Sequence, residues 1–490
     1  MSAVSRIPTI DELRAEQCRR SLHAFFRYIA WPVLQPATEF KDNWHIGAIA
    51  EHLEAVKSGQ IRKLLINMPF RMLKSSLVSQ AFQAWDWIDN PSRQFLTASY
   101  AKDVATRDAV DSRRIIDSPG YQKAYGHIFQ LTTDQNVKSR YENDKRGART
   151  ITSTDGAGTG FGGDIRIVDD PVSAKEADSV LALAASVEWW KGTMATRAND
   201  PENGAAVIVH QRLNANDLTG YCLANETGWE HLVLPFRYDP ALRKTTSLGF
   251  QDPRTVEGEL IHPGRIGEQT ATDLEATLGS YHRNAQLQQN PEPRGGIIFK
   301  RDCWKFWTVL PDFDEVALSI DCTFKGLQSS DYVAIQAWGR KGANHYLLKR
   351  SKAQMGFAAT CLAIRSMKEL FPEATAVLIE DKANGPAVVE TLSSDVGGII
   401  PINPEGGKVT RAYAMQPDQE AGNVFLPDPS IDPDIETFLT EVSSFPGVPH
   451  DDETDAMTQY VNWARVRVKS MGIHDWMRQQ AEQATARRAA

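Results

Sequence analysis

The chain has 490 residues, 42% of them hydrophobic and 24% charged, which suits a soluble globular protein large enough for at least two domains and leaves no repeat or low-complexity block. Its 54 basic and 62 acidic residues leave a net charge of −8, so bulk charge does not mark it as a nucleic-acid binder, although clustered metal-binding carboxylates would inflate the acidic count. Five cysteines (Cys18, Cys222, Cys303, Cys322, Cys361) lack zinc-type spacing and no stretch approaches the roughly 20 apolar residues of a membrane span, so disulfides, structural zinc and membrane insertion are not expected and a cytoplasmic setting is.

In chain order, residues 10–30 place apolar side chains near helical spacing (Leu13, Cys18, Leu22, Phe25, Phe26, Ile29), which predicts a helix ended by the Pro-containing stretch Trp31 to Pro36. A second amphipathic helix is expected from about Trp44 to Val56. From Leu64 onward, strand and helix patterns alternate: LLINM, SSLVSQAFQAWDWI, QFLTASY, a long helix from about Lys102 to Ile116, then DIRIVDD and AAVIVHQR. Such alternation predicts a parallel sheet covered by helices. Residues 225–300 lose the rhythm and read as a connector or lid. A new α/β pattern opens with EVALSIDCT and YVAIQAWG, continues through NHYLLKR and reaches ATAVLIEDK, so a second domain is expected from about Phe306. The end, from Asp475 to Ala490, is polar, Ala-rich and mildly basic.

The first chemical motif is MPFRMLKSS, residues 68–76, between a hydrophobic strand and a helix. A phosphate-binding loop stands at such a junction, with backbone amides turned to an anion at the helix N-terminus. Lys74 would reach terminal phosphates and Ser75 a magnesium ion, but Met68 and Leu73 stand where the G-x-x-x-x-G-K-[ST] pattern has glycines. The plain alternative is a Lys-Ser pair opening an ordinary helix. IRIVDDP, residues 165–171, is a buried-type strand ending in Asp169, suited to hold magnesium, and Asp170, suited to orient or deprotonate an attacking water. Adjacent acids there are costly without a cation, unless both lie in a solvated turn before Pro171. The run TDGAGTGFGGD precedes the strand and opens no helix, so it reads as a turn. Gln211, at the end of AAVIVHQR, stands where a polar side chain senses a γ-phosphate.

Further on, Asp321 in a first strand, Glu380 or Asp381 at the end of a later one, and the acids of HDDETDAM (450–457) form a set able to converge on two metals for in-line phosphodiester hydrolysis. Asp331 would approach from the hairpin. Asp452 and Asp455 lie three apart and Asp451 and Asp455 four apart on one helical face, where like charges repel unless a metal or a basic neighbour intervenes. A solvated acidic helix start is the plain alternative.

Taken together, the ordered segments NWHIGAIAEHL (43–53), LLINMPFRMLKSS (64–76), GGDIRIVDDPV (162–172), VIVHQRLNANDLTG (207–220), AQLQQNPEPRGGIIFK (285–300), the Asp321 strand with SSDYVA, IEDKANGPAVV (379–389) and HDDETDAM resemble the large terminase subunit of tailed bacteriophages over nearly the whole chain. The resemblance implies an α/β chain with an N-terminal P-loop ATPase, its parallel sheet carrying helices on both faces, followed by an RNase H-like nuclease. The expected division is a helical segment over 1–60, the ATPase core over 61–224, a lid or linker over 225–305, the nuclease over 306–470 and a polar tail over 471–490. By motif, Lys74 and Ser75 fall on the Walker A positions, Asp169 on the Walker B magnesium ligand and Asp170 on the catalytic carboxylate, with Gln211 beside ATP. Asp170 replaces a more usual Glu, and Leu73 replaces the glycine before the lysine. Trp44 and His45 fall in the adenine-contacting segment. An arginine acting from a neighbouring subunit is implied, with Arg107, Arg113, Arg114, Arg146 and Arg149 all eligible.

For the nuclease, the matching residues are Asp321, Glu380 and Asp452, with Asp331, Asp381, Asp451 and Asp455 as further or second-metal groups. Glu380 is preferred to Asp381 because its distance to Gly385 resembles the family pattern. The implied cofactors are ATP and Mg2+, with Mn2+ as an alternative at the nuclease. The implied partners are double-stranded DNA, a portal protein and a small terminase subunit, with a homo-oligomeric ring on the procapsid and a monomer in solution, in the host cytoplasm. Two other classes fit part of the pattern: a helicase-nuclease of repair or defence, and an assembly protein whose ATP site has decayed.

Overall fold

Apolar runs with the period of buried strands form the centre of an eight-stranded sheet in the first of two units, Met1–Arg294 and Gly295–Ala490. The computed structural model describes residues 8–154, 156, 160–177, 179–291, 298–322, 332–382, 385–404, 406–448 and 450–467. The first sheet comprises β1 (Lys63–Asn67), β2 (Gln94–Ser99), β3 (Leu131–Val137), β4 (Arg140–Asn143), β5 (Ala148–Ser153), β6 (Ile165–Asp169), β7 (Ala205–His210) and β8 (Glu230–Val233), in the order β3-β4-β5-β2-β6-β7-β1-β8. The run from β5 to β8 is parallel, and the β3–β4 hairpin adds antiparallel at the β5 edge.

Alternation along each central strand divides its side chains between two cores. Leu64, Ile66, Ile165, Ile167, Val207 and Val209 enter one, with the helices Trp44–Lys57 and Phe82–Asp86. Leu65, Val168, Ala206 and Ile208 enter the other, beneath Trp189, Trp190, Leu218 and Cys222. Helices therefore cover both faces, as an all-parallel sheet centre requires. Residues 225–260 are not wholly outside this sheet, since β8 pairs in register with β1.

The expected helix over 10–30 is broken. Ile10–Arg20 stops at Ser21, whose extended backbone (φ −135°, ψ 120°) ends one helix while its hydroxyl accepts from the Ala24 amide to start the next. The chain then passes through a π-helical stretch, Phe26–Ala30, and Pro32 is tolerated in the first turn of Trp31–Leu34.

The second unit has a mixed seven-stranded sheet: β9 (Lys305–Trp307), β10 (Glu315–Asp321), β11 (Tyr332–Lys341), β12 (Asn344–Gln354), β13 (Ala376–Glu380), β14 (Ile399–Ile402) and β15 (Val424–Pro427), in the order β14-β13-β10-β11-β12-β15-β9. β10, β11 and β12 form an antiparallel meander, while β13 joins β10 in parallel. One face packs on the helix Phe357–Leu370 through Val316, Leu318, Ile320, Ile364 and Met367. On the other, Ser319 Oγ donates to the Ala456 carbonyl and Gln336 Nε2 to the Glu453 carbonyl, seating the helix formed by residues 452–467. Among the described residues no helix is long and apolar enough to cross a membrane.

Candidate functional site

In the first unit, β6, β7 and β1 are neighbours, so the turns at their carboxyl ends open on one crevice, where open α/β sheets bind ligands. These turns carry residues 68–73, Asp169-Asp170 and His210-Gln211. The loop 68–73 leads into a helix at Lys74. Although it has no glycine, Arg71 and Leu73 take left-handed backbone at φ 65° and 69°, and Asp170 does so at φ 46°. Each costs a non-glycine residue about 1–2 kcal/mol. Only Arg146 and Gln289 share this property elsewhere among the described residues, so the strain gathers at this crevice. Leu73 thus supplies the conformation its expected glycine would supply.

Lys74 and Asp169 are both buried. Lys74 Nζ pairs with Asp170 and lies 3.6 Å from Asp169 Oδ1. Burial opposes the charge on Lys74, yet the two carboxylates outweigh it and hold its pKa above the ordinary value. Burial pushes the Asp169 carboxyl up to about 6, with Asp170 and Asp108 adding to the shift and Lys74 and Ser79 opposing it. The other oxygen of Asp169 accepts from Ser79 Oγ at 2.7 Å, while Oδ1 makes no hydrogen bond. An orphaned, buried carboxylate oxygen beside a lysine fits a cation and the phosphates it would carry.

Sequence reasoning missed Ser79. The helix runs as a π-helix over Ser76–Ala81, and its i→i+5 spacing brings Ser79 round to the side of Lys74, whereas the G-x-x-x-x-G-K-[ST] pattern directs attention to Ser75. Gln211 follows β7 at the same edge, and its buried Oε1 has no hydrogen-bond partner. His45 is fully buried, and Trp44 stacks on Phe250. Of the arginines eligible to act across subunits, Arg149 is fully buried with Nη1 on Gln83 Oε1, so it cannot reach a neighbour. Arg107 and Arg114 have side chains 61% and 68% exposed.

In the second unit, Ile320 pairs with Ile379, so the register carried one residue further sets Asp321 beside Glu380 on the same face. Asp321 shares that face with Ser319, which holds the helix 452–467, whereas Asp381 is the first residue past the end of its strand. Asp455, on that helix, accepts from Arg411 at 2.8 Å, and Arg411 also approaches Glu380 at 3.9 Å. Lys408 joins Asp451 and Asp455, each at 2.6 Å. Burial raises the Asp455 pKa, opposed by Arg411 and Lys408.

Asp452, expected with Asp321 and Glu380, has a lysine beside it, and its buried Oδ2 makes no hydrogen bond. It lies 3.3 Å from Lys352 Nζ, and the backbone of Lys352 stands in the sheet row that runs through Ala334 to Asp321. Asp331 lies outside the described residues. Among the described residues no three His, Cys, Asp or Glu side chains stand close enough to hold a metal, and Lys408 and Arg411 hold the carboxylates instead.

Residues 318–463 match the family described as the terminase RNaseH-like domain. The large terminase of a thermophilic bacteriophage has the same fold, with a TM-score of 0.50 and 11% identity over 84% of this chain and 97% of that one. The large terminase of bacteriophage HK97 aligns at a TM-score of 0.35 and 10% identity over 90% and 99% of the two chains. The magnesium-bound large terminase nuclease from the thermophilic phage G20c aligns at 0.28 and 14% identity over 35% and 98%. No curated protein matches the chain in sequence. The stretch that matches this family model thus lies within the second unit, and over 84% of the chain the fold is similar to that of a large terminase.

Proposed function

We propose that this chain, whose residues 318–463 belong to the terminase RNase H-like family, is a large terminase subunit: an ATP-driven translocase of double-stranded viral DNA and a metal-dependent endonuclease that cuts concatemers when packaging begins and ends. The observation that carries the motor half is the cluster of buried Lys74 and Asp169 with half-buried Asp170, behind a glycine-free loop with two left-handed residues. It favours a working site over a decayed one, because left-handed Leu73 is a cost that an unused loop has no reason to retain.

Lys74 would hold the nucleotide phosphates, with Ser75 and Asp169 on magnesium and Gln211 beside the γ-phosphate. Bound magnesium would neutralise developing phosphate charge. Lys74 is paired with Asp170, and a phosphate that drew Lys74 away would release Asp170 to orient or accept a proton from water. In the nuclease, Asp321, Glu380 and Asp455 would hold the divalent ions, Mg2+ or Mn2+, with Lys408 and Arg411 giving up their carboxylates. DNA would be gripped through phosphates, with binding that weakens steeply with salt and reads little sequence. A homo-oligomeric ring on a portal protein and a small terminase subunit that selects the start site complete the reading.

ATP turnover with and without double-stranded DNA, for the wild type beside Lys74→Ala, tests the motor. DNA-stimulated turnover that Lys74→Ala lowers at least a hundredfold is expected. Turnover unaffected by Lys74→Ala would remove this site from the reading.

A further inference from the structure

The segment 260–266 and the start of the helix Trp44–Lys57 close on the loop 68–73 from outside. Arg265 Nε donates to the Arg71 carbonyl at 2.6 Å, and the His45 ring reaches the Met72 carbonyl through Nε2 at 3.3 Å. Arg71 and Leu73 are the two left-handed residues of the loop. The Arg71 carbonyl belongs to the peptide plane that follows Arg71, and the Met72 carbonyl to the plane that precedes Leu73. The donor on Met72 therefore fixes the plane whose rotation sets the positive φ of Leu73, and the donor on Arg71 fixes the plane by which the left-handed Arg71 passes to Met72.

The tautomer of His45 follows from its neighbours. The Asn43 amide nitrogen lies 2.5 Å from the Ile261 carbonyl and 2.7 Å from His45 Nδ1, so it spends its two hydrogens on these acceptors. Nδ1 thus accepts, and Nε2 carries the proton that meets Met72. Burial, then the nearby His262, push the His45 pKa down to about 3, so the ring stays neutral and keeps this one donor. Lys41 Nζ on the Gly264 carbonyl, at 2.8 Å, ties the same two segments together and places Arg265.

We infer that His45 and Arg265 are positioning residues that stand in for the missing glycines, holding a glycine-free phosphate loop in its binding conformation from outside the loop. The inference rests on the nucleotide-site reading above and gives the segment around Arg265 a definite task. A glycine loop adopts left-handed backbone unaided; this one adopts it because two carbonyls are held.

The test uses the full chain with His45→Ala and Arg265→Ala, each alone and combined with Leu73→Gly. Amide hydrogen exchange over 68–75 without nucleotide is read beside the binding of magnesium ATP-γ-S. Either alanine is expected to speed exchange in the loop, leave β1 protected, and weaken ATP-γ-S binding about tenfold, the scale of one lost hydrogen bond. Leu73→Gly is expected to bring both readouts of each double variant back to within about threefold of wild type. His45→Gln, which keeps a donor, should fall between. Arg265 is exposed, so its variant reports even where His45→Ala perturbs folding. Unchanged loop exchange in both alanine variants, or glycine that fails to rescue, overturns the inference. Faster exchange with glycine rescue in a chain that does not bind ATP-γ-S would uphold the bracing and sink the nucleotide reading instead.

Discussion

Asp452 and Asp455 are nearly interchangeable in HDDETDAM, yet Arg411 links Asp455 to Glu380 while Asp452 pairs with Lys352. Spacing placed both on one helical face but could not say which meets the strand ends, because the deciding cations come from β12 and from the helix Lys408–Glu420, far away in sequence. In a plasmid-cleavage assay with Mg2+ or Mn2+, Asp455→Asn and Glu380→Ala are expected to lose cleavage at least a hundredfold. Asp452→Asn should lose less than tenfold and Asp381→Ala stay near wild type. Cleavage that survives Asp455→Asn but not Asp452→Asn would return the site to the set read from sequence, whereas cleavage that survives Glu380→Ala but not Asp381→Ala would overturn both readings.

A second residue-scale consequence concerns Asp86, which is fully buried and accepts from Arg93 at 2.6 Å. Burial raises its pKa from 3.8 to about 6, with Arg93 and Lys57 opposing. The folded state therefore holds a proton that the unfolded chain has already released between about pH 4 and 6. This contribution is complete below about pH 4 and is lost as the pH rises to about 6. Asp86→Asn removes the titration, so its stability relative to wild type should improve across that window by at most about 3 kcal/mol and stay level above it. Denaturant melts of both proteins at pH 4, 5, 6 and 7 check this; parallel curves would mean that Asp86 is ionised throughout.

At the scale of elements, the buried strands were plain in sequence because β1, β6 and β7 are apolar runs, whereas the parallel pairing of β10 with β13, which brings the strand acids together, is read only from the fold. The β3–β4 hairpin was not legible: LTTDQNV has no apolar alternation, and its partner is found only in the fold. The π-helix Ser76–Ala81 was equally hidden, since periodicity gives a helix but not its hydrogen-bond register. That register makes Ser79, not Ser75, the donor to Asp169. Ser79→Ala is expected to lower ATP turnover about tenfold or more, the scale of a lost hydrogen bond to a charged group, with little change in the melting curve. Ser75→Ala should act through magnesium, so raising Mg2+ should restore it and leave Ser79→Ala unrelieved. Rescue of both by Mg2+ would assign Ser79 to the metal rather than to Asp169.

For the whole molecule, length and the return of an α/β pattern near Phe306 announced two units, and the structure gives each its own core. Residues between Cys18 and Leu287 build the large cluster of the first, and residues between Val316 and Val396 that of the second, with no residue shared. Net charge said nothing about DNA, since the acids that make it −8 include those gathered at both candidate sites. Separate cores predict separate unfolding, so calorimetry of the full chain should resolve two transitions. Magnesium ATP-γ-S binds only the folded first unit in this reading. At 100 times its Kd it should stabilise that transition by about 2.7 kcal/mol and leave the other in place, while Lys74→Ala abolishes the shift without moving either baseline transition far. A nucleotide that raised both transitions together would mean the two units unfold as one, and the chain's cooperativity would then have to come from something other than its hydrophobic cores.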